Sequence, residues 1–226
     1  MAGTKSRRRR SSPSQSARTF PPRWLGRVGR FFRDNSLSIV LFSLFLIFWI
    51  GQAIAGWRSY NTDQRDHAQP PVAFLVYLGT GHFLEASAEN WESDFLQMAA
   101  FIWFTSFLYQ KGSPESKDPD TTIPSRHALW HLRRGGWAPK LRHHSLSITF
   151  FCIFLISFTL HAVGGARRFS EDQAQHGQLS VSAAGYLLTS RFWFESFQNW
   201  QSAFLSTGAM VVLSIFLREK GSPESK

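Results

Sequence analysis

Four side chains between Gly81 and Phe95 have the types and spacing to hold a cation. His82, Glu85, Glu89 and Glu92 lie three, four and three residues apart, so a helix through them puts all four on one face, with Leu84, Ala88, Trp91 and Phe95 opposite. An imidazole and carboxylates at one-turn spacing can share a metal ion; the competing expectation is a hydrated acidic face. A second set, Asp63, Gln64, His67 and Gln69, recurs in type as Asp172, Gln173, His176 and Gln178. An Asp and a His four apart pair across one helical turn or cap a helix end, and that structural role is expected here. A third group, His127, His131, His143 and His144, gathers half of the eight histidines within 18 residues. Its context, SRHALWHLRRGGW, instead reads as a short basic amphipathic helix on a membrane surface. The single Cys152 allows no intrachain disulfide, and no phosphate loop, nucleophile elbow, haem motif or HExxH pattern occurs. No catalytic residue and no cofactor is assigned, and the chain is expected not to be an enzyme.

The elements that must position these residues are apolar and long. Between Asn35 and Trp57 there are 23 residues without a charge, and Ser145 to Ala166 and Ser196 to Leu217 give 22 each. About 20 apolar residues in a helix cross the hydrocarbon core of a bilayer. A weaker fourth run, Phe95 to Tyr109, has 15 uncharged residues after Glu92 and Asp94. The polar inventory inside the runs is thin, comprising Gln52, Gln97 and His161 with Glu92 and Asp94 near one end, which argues against a pump.

Sliding the chain by 109 residues aligns Arg33–Lys117 with Arg142–Lys226 without a gap, and 37 of 85 pairs are identical. The matches run through polar segments: RDNSLSI against RHHSLSI, ENWESDFL against QNWQSAFL, and KGSPESK at both ends. Shared apolar composition cannot produce that, so an internal duplication is inferred, and it lifts the fourth run to a span. The expected fold is all-α and integral to the membrane. Its four transmembrane helices, at about 36–56, 91–110, 145–165 and 199–218, form two parallel two-helix repeats (33–117 and 142–226) with short interfacial helices near Val72–Leu78 and Leu179–Leu188. Asn35–Ser36 and His144–Ser145 are read as caps of the first helix of each repeat, and Thr80 and Thr189 as the starts of the second. In the second repeat the acidic face reads Arg191, Glu195, Gln198 and Gln201, so a ligand set would be lost there.

Twenty of the 25 basic residues fall in the first 36 residues, in Lys111–Arg142 or after Leu217. By the positive-inside bias both termini and the linker 118–141 are cytoplasmic, and residues 1–32 are a basic tail, expected to be disordered. Its cluster SRRRRSS, like the linker, suits anionic lipid headgroups better than nucleic acid, given the adjoining membrane helix. Ala53-Ile54-Ala55 before Gly56 resembles a signal-peptide cleavage site. The length of the run and its recurrence at Ser145 oppose cleavage.

The segments RDNSLSIVLF, GWRSYNTDQRDHAQPP, GHFLEASAENWESDFLQMAAF and QKGSPESKDPD together resemble a bacterial family of small tandem-repeat membrane proteins catalogued as a domain of unknown function. The resemblance covers about Arg33 to Lys226. It implies a multi-pass protein of the bacterial cytoplasmic (inner) membrane and brings no activity or cofactor with it. The function expected is a non-enzymatic scaffold or accessory protein, binding the lipid bilayer, a further copy or a membrane partner. The alternatives are a small channel or transporter with a path between the halves, and a metal-dependent membrane enzyme using the His82 face.

Overall fold

The computed structural model describes residues 23–117 and 141–223, with the backbone alone described for 23–27. The SRRRRSS cluster, the linker with His127 and His131, and the last three residues lie outside the described residues. Two compact units divide the chain, Met1–Phe48 and Trp49–Lys226.

In the first unit, α1 (Arg23–Asp34) is helical across the boundary between the expected basic tail and the first repeat. In RWLGRVGRFFRD the basic residues recur every three or four positions between apolar ones, the pattern of an amphipathic helix. Exposed Val28, Phe31 and Phe32 give it an apolar surface. Asn35, expected to cap the following helix, instead uses its side-chain amide on the carbonyl of Phe31, 2.9 Å away, closing α1.

Helix α2 (Ser36–Asp66) and helix α5 (Ser145–Gln175) are 31 residues each, and both are long and apolar enough to cross a membrane. They continue ten residues past the expected ends at 56 and 165, because the polar residues there still suit a helix and no proline intervenes before Pro70. Their ends match. Gln69 N–H returns to Gln64 C=O at 2.7 Å and Gln178 N–H to Gln173 C=O at 2.9 Å, around the left-handed residues Ala68 and Gly177. His144 makes no side-chain cap on α5.

Two single-turn helices, α3 (Phe74–Tyr77) and α6 (Ala183–Tyr186), fill the expected short segments. Helices α4 (Gly81–Phe104) and α7 (Ser190–Phe216) begin as read, the Thr80 and Thr189 hydroxyls accepting from Phe83 and Phe192 N–H. They end earlier than expected. After α4 the Thr105 and Ser106 hydroxyls take the carbonyls of Ile102 and Trp103, and tight turns follow. After α7, Leu217 is already extended. The KGSPESK glycines Gly112 and Gly221, at φ 90° and 89°, therefore shape a turn beyond the helix rather than terminating it.

In the second unit α4 lies along α5 and also meets α7. Glycines permit the α4–α5 crossing: a Cβ on Gly164 would sit 2.6 Å from the Glu85 amide nitrogen, and one on Gly81 would sit 2.7 Å from the Gly164 carbonyl oxygen. Two aromatic clusters complete the core, Ala53, Tyr77 and Phe83 in one and Ala162, Ala166, Tyr186 and Phe192 in the other. Residues 109 apart make equivalent contacts. Tyr77 packs on Gly56 and Tyr186 on Gly165; Asn61 brackets the backbone of Val72 with two hydrogen bonds, and Ser170 does the same for Val181.

Candidate functional site

The acidic face of α4 is turned into the protein. Glu85 and Glu92 are 1% and 0% exposed, which overturns the expectation of a hydrated face, and Glu89 between them is half-buried. A buried carboxylate needs donors, and α5 and α7 provide them. Arg168 Nη1 donates to Glu85 Oε2 at 2.7 Å. The hydroxyl of Tyr186 lies 3.2 Å from Glu85 Oε1 and 2.6 Å from Glu195 Oε2, linking the two carboxylates. Glu195 Oε1 accepts from Arg191 Nε at 3.1 Å, and Arg191 reaches on to Asp172 at 2.9 Å.

His161, wholly buried on α5, sits where these groups converge. Its Nδ1 is 2.8 Å from Glu92 Oε2, and since an ionised carboxylate only accepts, that nitrogen donates. The other Glu92 oxygen accepts from Trp200 Nε1 at 2.9 Å. The second ring nitrogen, Nε2, faces Glu195 Oε2 at 3.5 Å without forming a hydrogen bond. Ligand atoms of Glu85, His161 and Glu195 all lie within 4.8 Å of one another.

The electrostatics follow the donors. Burial alone would raise the Glu195 carboxyl, but the adjacent His161 and the bonds from Tyr186 and Arg191 outweigh it and hold the group down to about 2. Glu89 has no such donor, so burial and the neighbouring Glu85 and Glu195 push it up to about 7 against the attraction of His161 and Arg168. Burial and the hydrogen bond to Glu195 drive the Tyr186 hydroxyl up.

His82, the fourth member of the expected set, stands apart. Its Nδ1 is 3.1 Å from the Tyr77 hydroxyl, and burial lowers its pKa, assisted by Arg168. It lines an open polar cavity of about 600 Å³ together with Tyr60, Asp63, Gln69, Arg168 and Asp172. The repeat-matched positions thus have two uses. Asp63 and Asp172 accept from His67 and His176 through their backbone carbonyls, at 2.9 and 2.8 Å, closing α2 and α5, while Asp63, Gln64, Gln69 and Asp172 also border the cavity. Arg168, 36% exposed along its side chain, connects the cavity to Glu85.

Of the residues expected to bind a cation, Glu85, Glu89 and Glu92 are brought together and His82 is not. Arg168, Tyr186 and Trp200 were not expected in a site, and neither His161 nor Glu195 was expected to join the α4 set. The available signal was the 109-residue offset: His161 stands opposite Gln52, Glu195 opposite Ala86 and Arg191 opposite His82, polar or charged replacements on otherwise matched helices.

A family model described as "Domain of unknown function (DUF6766)" matches residues 28–226. The chain belongs to this family. The DUF6766 match contains both 109-offset stretches and every residue of the buried centre. No curated protein and no solved structure matches the chain.

Proposed function

We propose that this DUF6766 chain is a multi-pass protein of the bacterial inner membrane, built from two duplicated halves with both termini cytoplasmic, and that it acts as a non-enzymatic scaffold or accessory protein. The membrane reading is supported by α2 and α5 and by the exposure of large apolar residues such as Phe42, Phe48, Ile156, Leu205 and Phe216, which water would not tolerate in such number. The matched contacts of Tyr77 and Tyr186 and of Asn61 and Ser170 support the duplication. Helices α4 and α7 become the second span of each half, tilted or projecting at the outer end.

The observation that carries the functional reading is where the polar chain stops. From the cavity it runs through Arg168, Glu85, Tyr186, Glu195, His161 and Glu92 to Trp200. Beyond it, α4 and α5 meet through Phe95 and Phe150, and a cavity of about 410 Å³ is lined mostly by apolar residues such as Leu96, Ala99, Trp103, Phe104, Ile148 and Phe151, with His144 and Ser147 from the start of α5. A transport path needs polar groups or water across the whole hydrocarbon core; this chain serves as an internal tie that holds the halves together and opens to one side. The buried acidic groups are spent internally, which leaves the rim of the outer cavity as the surface for a partner.

Proteoliposomes containing the purified chain test this: no flux of protons, Na⁺, K⁺ or Mg²⁺ above empty vesicles is expected. Flux abolished by Glu92→Gln would establish the channel or transporter reading instead. In-membrane cross-linking from positions beside Asp63 and Asp172 is expected to capture one recurrent partner or a second copy.

A further inference from the structure

The buried centre has the donors of a metal site. We propose that Glu85, His161 and Glu195 bind a divalent first-row transition metal ion, with Glu92 and Tyr186 aiming the ligands.

The first ground is the histidine. Glu92 holds Nδ1 at 2.8 Å, while buried Nε2, 3.5 Å from Glu195, has no hydrogen-bond partner, and a metal would take this nitrogen in place of its proton. A carboxylate behind a histidine, fixing its tautomer and raising its basicity, is the recurrent outer support of metal-bound imidazole. Trp200 pins the far oxygen of Glu92 and so orients the carboxylate too. The second ground is convergence. The three ligand atoms come from α4, α5 and α7 and lie within 4.8 Å of one another. Zinc bonds of about 2.0–2.2 Å place tetrahedral ligand atoms about 3.3–3.6 Å apart, so binding draws the three together by about 1 Å. Arg168, Tyr186 and Arg191 occupy one direction at the carboxylates of Glu85 and Glu195, and each oxygen retains a further lone pair.

The third ground is composition. The carboxyl groups of Glu85, Glu89, Glu92 and Glu195 gather at this centre around a single imidazole, with Arg168 bonded to Glu85, Arg191 to Glu195, and Asp172 on the solvent side. One imidazole with carboxylates suits zinc or manganese, whereas magnesium and calcium prefer an all-oxygen shell.

This inference is independent of the scaffold reading, since flux bears on that reading and metal stoichiometry on this one. The test uses the full chain without an affinity tag, in detergent, stripped with a chelator and dialysed against Zn²⁺ or Mn²⁺. One ion per chain is expected. His161→Gln and Glu195→Gln should each weaken binding by more than about 100-fold and Glu92→Gln by about 10-fold. His67→Gln and His176→Gln, at the exposed helix ends, should leave it unchanged. No stoichiometric metal, or unchanged affinity in His161→Gln, overturns the proposal. Should His161→Gln fail to fold, X-ray absorption of the zinc-loaded wild type decides: a single imidazole among oxygen ligands supports the site, and an all-oxygen or multi-histidine shell refutes it.

Discussion

Residues 49–104 and 158–213 share a backbone plan but hold it together with different chemistry. In the first stretch Gln52 donates to the carbonyl of Ala86 at 2.9 Å. At the same two positions in the second stretch, His161 faces the carboxylate of Glu195 at 3.5 Å. Tyr77 and Tyr186 are both buried against a glycine of the preceding long helix, yet the first meets a histidine and the second two glutamates. The difference teaches that a neutral packing plan can accept a charged centre provided the new carboxylates gain donors: Arg168 stands where the first stretch has Ser59, and Arg191 where it has His82.

The largest expected effect separates the stretches by sterics. Position 164 is glycine where its counterpart is Ala55. Gly164→Ala would force a methyl to 2.6 Å from the Glu85 amide nitrogen, against backbone that cannot turn away, and should cost about 3 kcal/mol or abolish folding, read as loss of a monodisperse detergent-solubilised species. Gly56→Ala, whose methyl would meet only the tip of Tyr77, should cost less. Next is the tyrosine pair. Tyr186→Phe strips a donor from two carboxylates and should cost about 2–3 kcal/mol, whereas Tyr77→Phe, breaking one bond to a neutral imidazole, should cost about 1 kcal/mol, both by thermal unfolding.

A pH series sharpens the contrast. Glu89 titrates near 7 in the folded chain against an ordinary 4.5, so the fold favours its protonated form. Its contribution is full below pH 4.5 and is lost as pH rises through 7. The unfolding temperature should therefore fall by a few degrees between pH 5 and 8, and Glu89→Gln should flatten that slope. Glu195 has the opposite sign, with stability present above 4.5 and lost as pH falls toward 2. The smallest effect lies at the matched serines. Ser87 accepts from Trp49 Nε1 at 3.2 Å, while buried Ser196 has no partner, Phe158 standing where the first stretch has Trp49. Ser87→Ala should cost about 1 kcal/mol and Ser196→Ala close to nothing.

Much of the fold was legible because it rests on local rules. The apolar runs, the offset of 109, the Thr80 and Thr189 caps and the single face shared by Glu85, Glu89 and Glu92 all follow from spacing along one helix. Helix ends were less so: the ends of α2 and α5 depend on left-handed turns at Ala68 and Gly177, and the end of α4 on hydroxyls competing for carbonyls. The centre itself was half legible. An acidic face outside an apolar run reads as hydrated, and only packing against α5 reveals that Arg168 and His161 meet it. Those residues lie 69 or more positions from their α4 partners, beyond the reach of periodicity.

The central claim, that a buried hydrogen-bonded pair ties the α4 of one stretch to the α5 of the next, is tested most directly by a double-mutant cycle on Glu92→Gln and His161→Gln, measured by unfolding in one detergent. A coupling above about 2 kcal/mol is predicted, because each single change strands a fully buried partner. Additivity within about 0.5 kcal/mol would contradict it.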